Sequence, residues 1–546
     1  MIIRRLACIL TVSLLAAPSS ALASNWAVGA GPGGVAGLRA QLPGAATLVP
    51  GRALLVRGAR PHVRGAAYVL RLDSSHRRLA FSNNEPLGPQ QWYFASDSAW
   101  THWPAPPNLQ EVKVAVIDTG IDAGHPEFAG RIAAGRSFVD TSWKTDGCGH
   151  GTYVAGLIAA NPFNGVGIAG IAFNARLLVA KVALADCGVS ETGEILAIKW
   201  AVQQGARVIN ISIGGNRDPE DSNIDQFSAL EEAAIQYATS KGVLVVAASG
   251  NTEGPTTPWT YADYPAALPH VLGVGAVTQP GAVPAYSNRD KLFVDLAAPG
   301  GPLLSTIPRS MVEPALPGCA NQAFSNCGPA EYRTGVGTSF ATPQVTAAAA
   351  LLLGVDPRLK PDQVAWLLER SATDASPSSG CPGCPAGRDS LAGWGTLDVA
   401  SALDLVSHRS DLPTADALEP NDNANTPGAV AHALKLPRSV SATLDYWDDP
   451  IDVYSVTLQA GSRFFARLGT GSFPGTTLVL WKPGTTDVTV PLRSVLSDRA
   501  ARSAAVSGQQ RLGYRVAAAG TYYLEVKTGA PSRAPERYRL SLSTTG

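Results

Sequence analysis

Three polar residues each sit where an apolar run meets a Gly/Thr-rich turn. They are Asp118 in Val114–Gly120 (VAVIDTG), His150 in Gly149–Gly156 (GHGTYVAG) and Ser339 in Gly337–Pro343 (GTSFATP). A hydroxyl is a poor nucleophile until a base takes its proton, and the base needs a carboxylate to hold its tautomer. These three residue types therefore suit acyl transfer through a serine. Taken singly, the segments also fit a buried strand ending in a turn, a structural histidine before a helix, and an ordinary helix cap. Their joint presence in the order Asp, His, Ser favours chemistry. Lipases and esterases fit less well, because the Gly-x-Ser-x-Gly elbow is missing around Ser339 and their order runs Ser, Asp, His. A non-catalytic adhesion or carbohydrate-binding protein with a vestigial site is the remaining alternative, and none of the site residues has decayed. A fourth candidate is Asn251, at the end of Ala248-Ser249-Gly250-Asn251, whose plain reading is a turn residue.

The elements that must hold these residues alternate between strand and helix from Val112 to about Ser407. Val112–Ile117, Leu177–Val182, Val208–Ile211 and Leu244–Ala248 are almost wholly apolar, as parallel strands covered on both faces must be. Between and after them, His150–Ala160, Glu191–Gln204, Asp225–Lys241 and Ser339–Leu353 carry apolar residues at helical spacing. Strand–helix repetition predicts an α/β fold, a parallel sheet flanked by helices with right-handed crossovers. Sites in such sheets gather at the carboxyl ends of strands, where Asp118 and Asn251 fall. Ser339 at a helix start would have backbone N–H groups and the helix dipole aimed at developing negative charge, and Pro343 is expected in that helix's first turn. From about Leu412 helical spacing gives way to short alternating strands, Asp452–Leu458, Phe464–Leu468, Thr477–Leu480, Thr521–Val526 and Tyr538–Leu542, which predict a small antiparallel sandwich.

With 546 residues, two or three domains are expected. The balance of 43 basic and 43 acidic residues gives no electrostatic case for nucleic acid or an anionic membrane as partner. Arg4 and Arg5, the apolar run Leu6–Ala17 and Ala21-Leu22-Ala23 read as a secretory signal over residues 1–23, so an extracellular or periplasmic protein is expected. No later stretch reaches about 18 uninterrupted apolar residues, so no transmembrane segment is expected. Losing Cys8 with the signal leaves six cysteines, an even number suited to an oxidising compartment. Local closure would pair Cys148 with Cys187, Cys319 with Cys327 and Cys381 with Cys384. Zinc is the alternative at Cys381-Pro-Gly-Cys384, although neither a second CxxC nor a histidine pair follows.

The three motifs in their order resemble the subtilisin-like serine proteases, the subtilases. The resemblance implies an endopeptidase with Ser339 as nucleophile, His150 as general base and Asp118 as orienting acid; Asp122, four residues on, is not excluded by local reasoning. It implies an oxyanion role for Asn251 and a peptide-binding edge at Ser212, Ile213, Gly214 and Gly215. Asp263, before Tyr264-Pro265-Ala266, falls where the family shapes the pocket for the residue preceding the cut; an acid there would favour Lys or Arg, and a solvated loop aspartate is the plain alternative. No cofactor is needed for the chemistry. The loop Pro162–Ile168 resembles one that binds structural calcium, here through Asn164, with Glu127 where the family has an aspartate. Tyr153 replaces a second histidine found in many relatives, and Arg309–Arg333 looks like an insertion forming a surface loop. By position, residues 24–84 would be an inhibitory propeptide and 85–410 the catalytic domain. Glu419-Pro420-Asn421-Asp422 and Ala519–Tyr523 are similar to bacterial pre-peptidase C-terminal domains, which assigns 411–546 to that sandwich. The expected partners are protein substrates and the chain's own propeptide, with the enzyme monomeric.

Overall fold

The computed structural model describes residues 25–30, 34–49, 53–57, 61–64 and 66–71. From 82 onward it describes all but 141, 222, 252–257, 313–323, 327–329, 407–411, 413–415, 420, 427–428, 445–450, 470–475, 489–494, 507–508, 529–535 and 546. The expected signal and the pair Cys319 and Cys327 lie outside the described residues. The chain forms two compact units, Met1–Arg78 and Leu79–Gly546.

In the first unit, β1 (Asn25–Ala30), α1 (Gly34–Gln41), β2 (Ala46–Val49), β3 (Ala53–Arg57) and β4 (Ala66–Arg71) make an antiparallel sheet of order β2-β3-β1-β4 beside one helix. Val28, Leu38 and Leu54 are its buried centre. Sequence pattern alone suggests one strand here, at Ala67–Leu72. Gly and Ala blur the alternation that would have disclosed the other three.

The second unit begins with a single turn, α2 (Tyr93–Ser96), and then builds the parallel sheet. Its strands are β5 (Val112–Asp118), β6 (Ile132–Ser137), β7 (Ala175–Lys181), β8 (Val208–Ile211), β9 (Leu244–Ala248), β10 (Val271–Thr278) and β11 (Leu296–Gly301). All pair in parallel, in the order β11-β10-β9-β8-β5-β7-β6. Successive side chains of a strand face opposite ways. Val114 and Val116 therefore enter one apolar layer, with α3 (His150–Ala159) and the long helix described below. Ala115 and Ile117 enter the other, with α4 (Glu191–Gln203) and α5 (Ala229–Ser240). Each fully buried Val or Ile contributes about 1.5–3 kcal/mol, which keeps the strand ends from drifting.

Caps set the helix starts. Ser190 accepts the Gly193 amide at 3.1 Å to open α4, and Ser228 accepts the Glu231 amide at 3.2 Å to open α5. The second cap places α5 four residues later than periodicity alone suggests. An antiparallel pair, β12 (Leu303–Thr306) and β13 (Tyr332–Gly335), leads into α6 (Thr338–Val355), and α7 (Pro361–Ser371) and α8 (Val399–Leu405) follow. α6 is apolar around its circumference and mostly buried, as a central helix should be. Because it starts at Thr338, Pro343 falls in its second turn rather than its first. The Ser339 carbonyl therefore has no amide four residues on to receive.

The C-terminal region holds two five-stranded sheets. One runs His432–Leu434, Ile451–Leu458, Gly520–Lys527, Thr477–Trp481, Arg499–Arg502; the other runs Arg438–Leu444, Glu536–Thr545, Arg463–Leu468, Gln509–Arg515, Ala504–Val506. Every pairing is antiparallel except His432–Leu434 with Ile451–Leu458. Phe464, Leu468, Leu512 and Leu540 from one sheet pack with Tyr454, Leu480, Tyr522 and Leu524 from the other. Two of the expected disulfides are present, Cys148–Cys187 and Cys381–Cys384. The CxxC pair is therefore a disulfide and not half of a zinc site.

Candidate active site

Asp118 ends β5 almost wholly buried, and its Oδ1 lies 2.8 Å from His150 Nδ1 at the start of α3. The same oxygen accepts the Thr119 amide at 2.8 Å. Asp122 is turned away: Arg309 grips it through its backbone N–H, Nε and Nη2 at 2.8–3.0 Å. Burial of the imidazole opposes its protonation, but the Asp118 carboxylate, by charge and by hydrogen bond, and then Asp146 outweigh that. The His150 pKa is raised above its ordinary 6.5.

Asp146 is a residue that sequence reasoning passed over. Its Oδ1 accepts from Thr119 Oγ1 and the Gly149 amide, both at 2.7 Å; its Oδ2 accepts from the Thr152 amide at 2.8 Å and Thr152 Oγ1 at 2.7 Å. Thr119 Oγ1 in turn accepts the Gly151 amide at 2.8 Å. One carboxylate thus ties the residue after Asp118 to the amides on either side of His150. The sequence signal was an acid four residues before His150, at the entry to a helix where orphan amides need acceptors.

Ser339 is partly exposed in the first turn of α6, and its neighbours fix its surroundings. On one side, Thr338 donates its amide (2.8 Å) and hydroxyl (3.0 Å) to Asn251 Oδ1. With that oxygen committed, the Asn251 amide nitrogen is left to face outward. On the other side, the Phe340 ring lies 5.4 Å from the His150 ring, centroid to centroid. Gly337, at φ 151°, opens a small space: a Cβ there would stand 3.5 Å from Asn251 Nδ2 and 3.7 Å from the Ser339 nitrogen. The two nitrogens, Asn251 Nδ2 and the Ser339 backbone N, thus border one common point beside Gly337.

Two aromatic residues complete the wall. Phe324 meets His150 edge-on at 5.4 Å, and Tyr153 stacks on Phe340 at 4.2 Å while its hydroxyl bonds the Leu303 carbonyl. Phe324 comes from Arg309–Arg333, so this part of the expected surface loop packs on the site histidine. Tyr153, seemingly inert from sequence, supports the ring beside Ser339.

Ser212–Gly215 leaves the end of β8, and Gly215 bridges Tyr264 with reciprocal backbone bonds of 3.0 and 2.8 Å. Gly214 is exposed, and a Cβ there would strike the Tyr264 carbonyl, so only glycine fits. Asp263 is 9% exposed, hence not a solvated loop group. Its backbone amide donates to the Ser249 carbonyl at 2.9 Å and its Oδ1 accepts from Asn288 Nδ2 at 3.1 Å. Its other oxygen presses against the Gly250 position, one residue before Asn251.

Residues 110–395 match the model of the subtilase family. The chain belongs to the subtilase family. The match spans about half of the polypeptide and includes Asp118, His150, Asn251 and Ser339. This subtilase is 36% identical over 249 residues to the major intracellular serine protease of Bacillus subtilis, covering 44% of its own length and 68% of the relative's. It is 34% identical over 265 residues to thermitase of Thermoactinomyces vulgaris, covering 48% and 78%, and 38% identical over 265 residues to subtilisin E of Bacillus subtilis, covering 48% and 60%. It is a serine protease of the subtilisin type.

The calcium loop can be tested against its own donors. Glu127, fully buried, reaches into Pro162–Ile168 and accepts from the Ile168 amide (2.9 Å), Tyr332 hydroxyl (3.0 Å) and Asn164 Nδ2 (3.1 Å). Asn164 Oδ1 is itself taken by the Val166 amide at 2.9 Å. A cation needs oxygen lone pairs, whereas N–H and O–H groups converge here on a carboxylate. These residues do not fit calcium. Burial pushes the Glu127 pKa up to about 7 despite its three hydrogen bonds. Among the described residues no cluster of three or more His, Cys, Asp or Glu side chains is arranged to hold a metal.

Proposed function

We propose that this subtilase is a secreted endopeptidase, made as an inactive precursor, that cleaves proteins through an acyl-enzyme on Ser339. The observation that carries the reading is the Asp118–His150 contact of 2.8 Å at the sheet's carboxyl end, with Ser339 flanked by residues touching His150 and Asn251. In this reading His150 takes the Ser339 proton as Oγ attacks the scissile carbonyl. The oxyanion accepts hydrogen bonds from Asn251 Nδ2 and the Ser339 amide, beside Gly337. His150 then passes its proton to the leaving amine, and a water activated by the same imidazole releases the acid product. Asp118 fixes the tautomer and Asp146 positions both partners.

Substrate adds as an extended strand along Ser212, Ile213, Gly214 and Gly215, where backbone pairing reads no side chains. Specificity falls to the pocket bordered by Gly250 and Asp263, whose buried carboxylate favours Lys or Arg before the cut. The signal pattern and two disulfides support export, residues 24–84 act as intramolecular inhibitor, and 411–546 form a pre-peptidase C-terminal-like domain. Fluorophosphonate labelling tests the core of this reading. Wild type should be labelled and Ser339→Ala should not, with mass spectrometry of both showing whether the enzyme trims itself. Equal labelling of the two proteins would overturn it.

A further inference from the structure

Basic and acidic residues nearly balance over the C-terminal sandwich as they do over the whole chain, but its arginines gather on one face of one sheet. In the sheet that contains Arg463–Leu468 and Gln509–Arg515, inward positions hold Phe464, Ala466, Leu468 and Leu512, all buried. The outward positions hold Arg463, Arg467, Arg511, Arg515, Arg537 and Arg539, all exposed. The register sets Arg463 opposite Arg515 and Arg467 opposite Arg511. Like charges directly opposite on antiparallel strands are destabilising, and this face repeats the arrangement twice. Ion-paired arginines among the described residues include Arg176, Arg217, Arg309, Arg358 and Arg388, in the catalytic domain.

Between the two arginine rungs stands Phe465, 40% exposed, opposite Gly513. Its ring edge lies 3.7 Å from where a Gly513 Cβ would be, so the ring lies in contact range over the Gly513 position. The lining of a trough of about 600 Å³ there includes Arg438, Arg467, Arg511, Phe465, Ser541 and Ser543, and no acidic residue. The rungs are four residues apart, roughly 13 Å along the strands.

Guanidinium forks match carboxylates two bonds at a time, and two rungs ask for anions repeated along a chain. Single-stranded nucleic acid is usually held by successive aromatic rings, whereas one ring among serine hydroxyls serves a saccharide better. A membrane anchor would need a broad apolar face, which this is not. We propose that this arginine face binds a linear acidic polysaccharide, a chain of carboxylated sugars, and tethers the protease to it.

The test is affinity electrophoresis of the full chain, as Ser339→Ala to keep it intact, through gels containing polygalacturonate or neutral dextran. Polygalacturonate should retard it and dextran should not, and raising salt from about 50 to 500 mM should abolish the effect. Arg467→Glu with Arg511→Glu should weaken binding at least about tenfold, while Arg467→Lys with Arg511→Lys retains part of it. Thermal unfolding of each variant checks that the sandwich is intact. No retardation by polygalacturonate, retardation unchanged in the folded Glu variant, or tighter binding to single-stranded DNA or phosphatidylglycerol vesicles would each overturn the proposal.

Discussion

Asn251→Ala separates two jobs that the proposed mechanism gives one side chain. Its Oδ1 accepts the Thr338 amide and hydroxyl at 2.8 and 3.0 Å, while its Nδ2 and the Ser339 amide border one point beside Gly337. Losing an oxyanion donor costs about 2.7–4 kcal/mol of transition-state stabilisation, roughly 10²–10³ in kcat for enzymes of this kind. Losing the Thr338 brace removes neutral hydrogen bonds worth about 0.5–1.5 kcal/mol each, which falls on stability. The expected result is kcat down by about two to three orders of magnitude, KM little changed, and a modest fall in Tm. Asn251→Asp keeps the acceptor but loses the donor. It should restore much of the Tm and none of the kcat. Initial rates on a peptide p-nitroanilide, normalised to folded enzyme, with thermal unfolding alongside, give all three quantities. A change confined to KM, or a kcat loss below about tenfold, would refute the oxyanion role.

Because neutral imidazole is the base and His150 is raised above 6.5, kcat/KM should fall as pH drops through a value above 6.5, not below it. The acids that act on that ring are Asp118, hydrogen-bonded to it, and Asp146 at longer range, while Phe324 and Phe340 pack beside it. Asp146→Asn should therefore move the acid limb to lower pH and cut kcat about tenfold or more by loosening His150 against Asp118; an unmoved limb would deny it the positioning role. Calcium chelator should leave Tm unchanged, while Glu127→Ala, which removes two hydrogen bonds to the 162–168 loop and one to Tyr332, should cost about 3 kcal/mol in a denaturant titration. A chelator-induced fall in Tm that Glu127→Ala abolishes would show that the loop does hold calcium. Asp263→Asn should lower kcat/KM for Lys or Arg before the cut about tenfold relative to Phe, and an unchanged ratio would remove Asp263 from the pocket.

The family and the candidate site were legible in the sequence because residue type and local context are encoded locally. Asp118 at the end of an apolar strand, His150 and Ser339 at helix starts, and Asn251 after a strand are all read within about ten residues. The parallel sheet followed from strands too apolar to have a wet face. What the sequence could not settle are contacts between distant segments, since pairing partners leave no local trace. Asp146 looked like any turn acid until it met Thr119, 27 residues away. Phe324 looked like loop until it met His150, and Glu127 looked like a substituted ligand until three donors converged on it. The arginine rungs needed the register of two strands, because one residue of slip would turn every arginine inward. Local pattern thus named the candidate residues, and tertiary packing decided what holds them and which surfaces are left exposed.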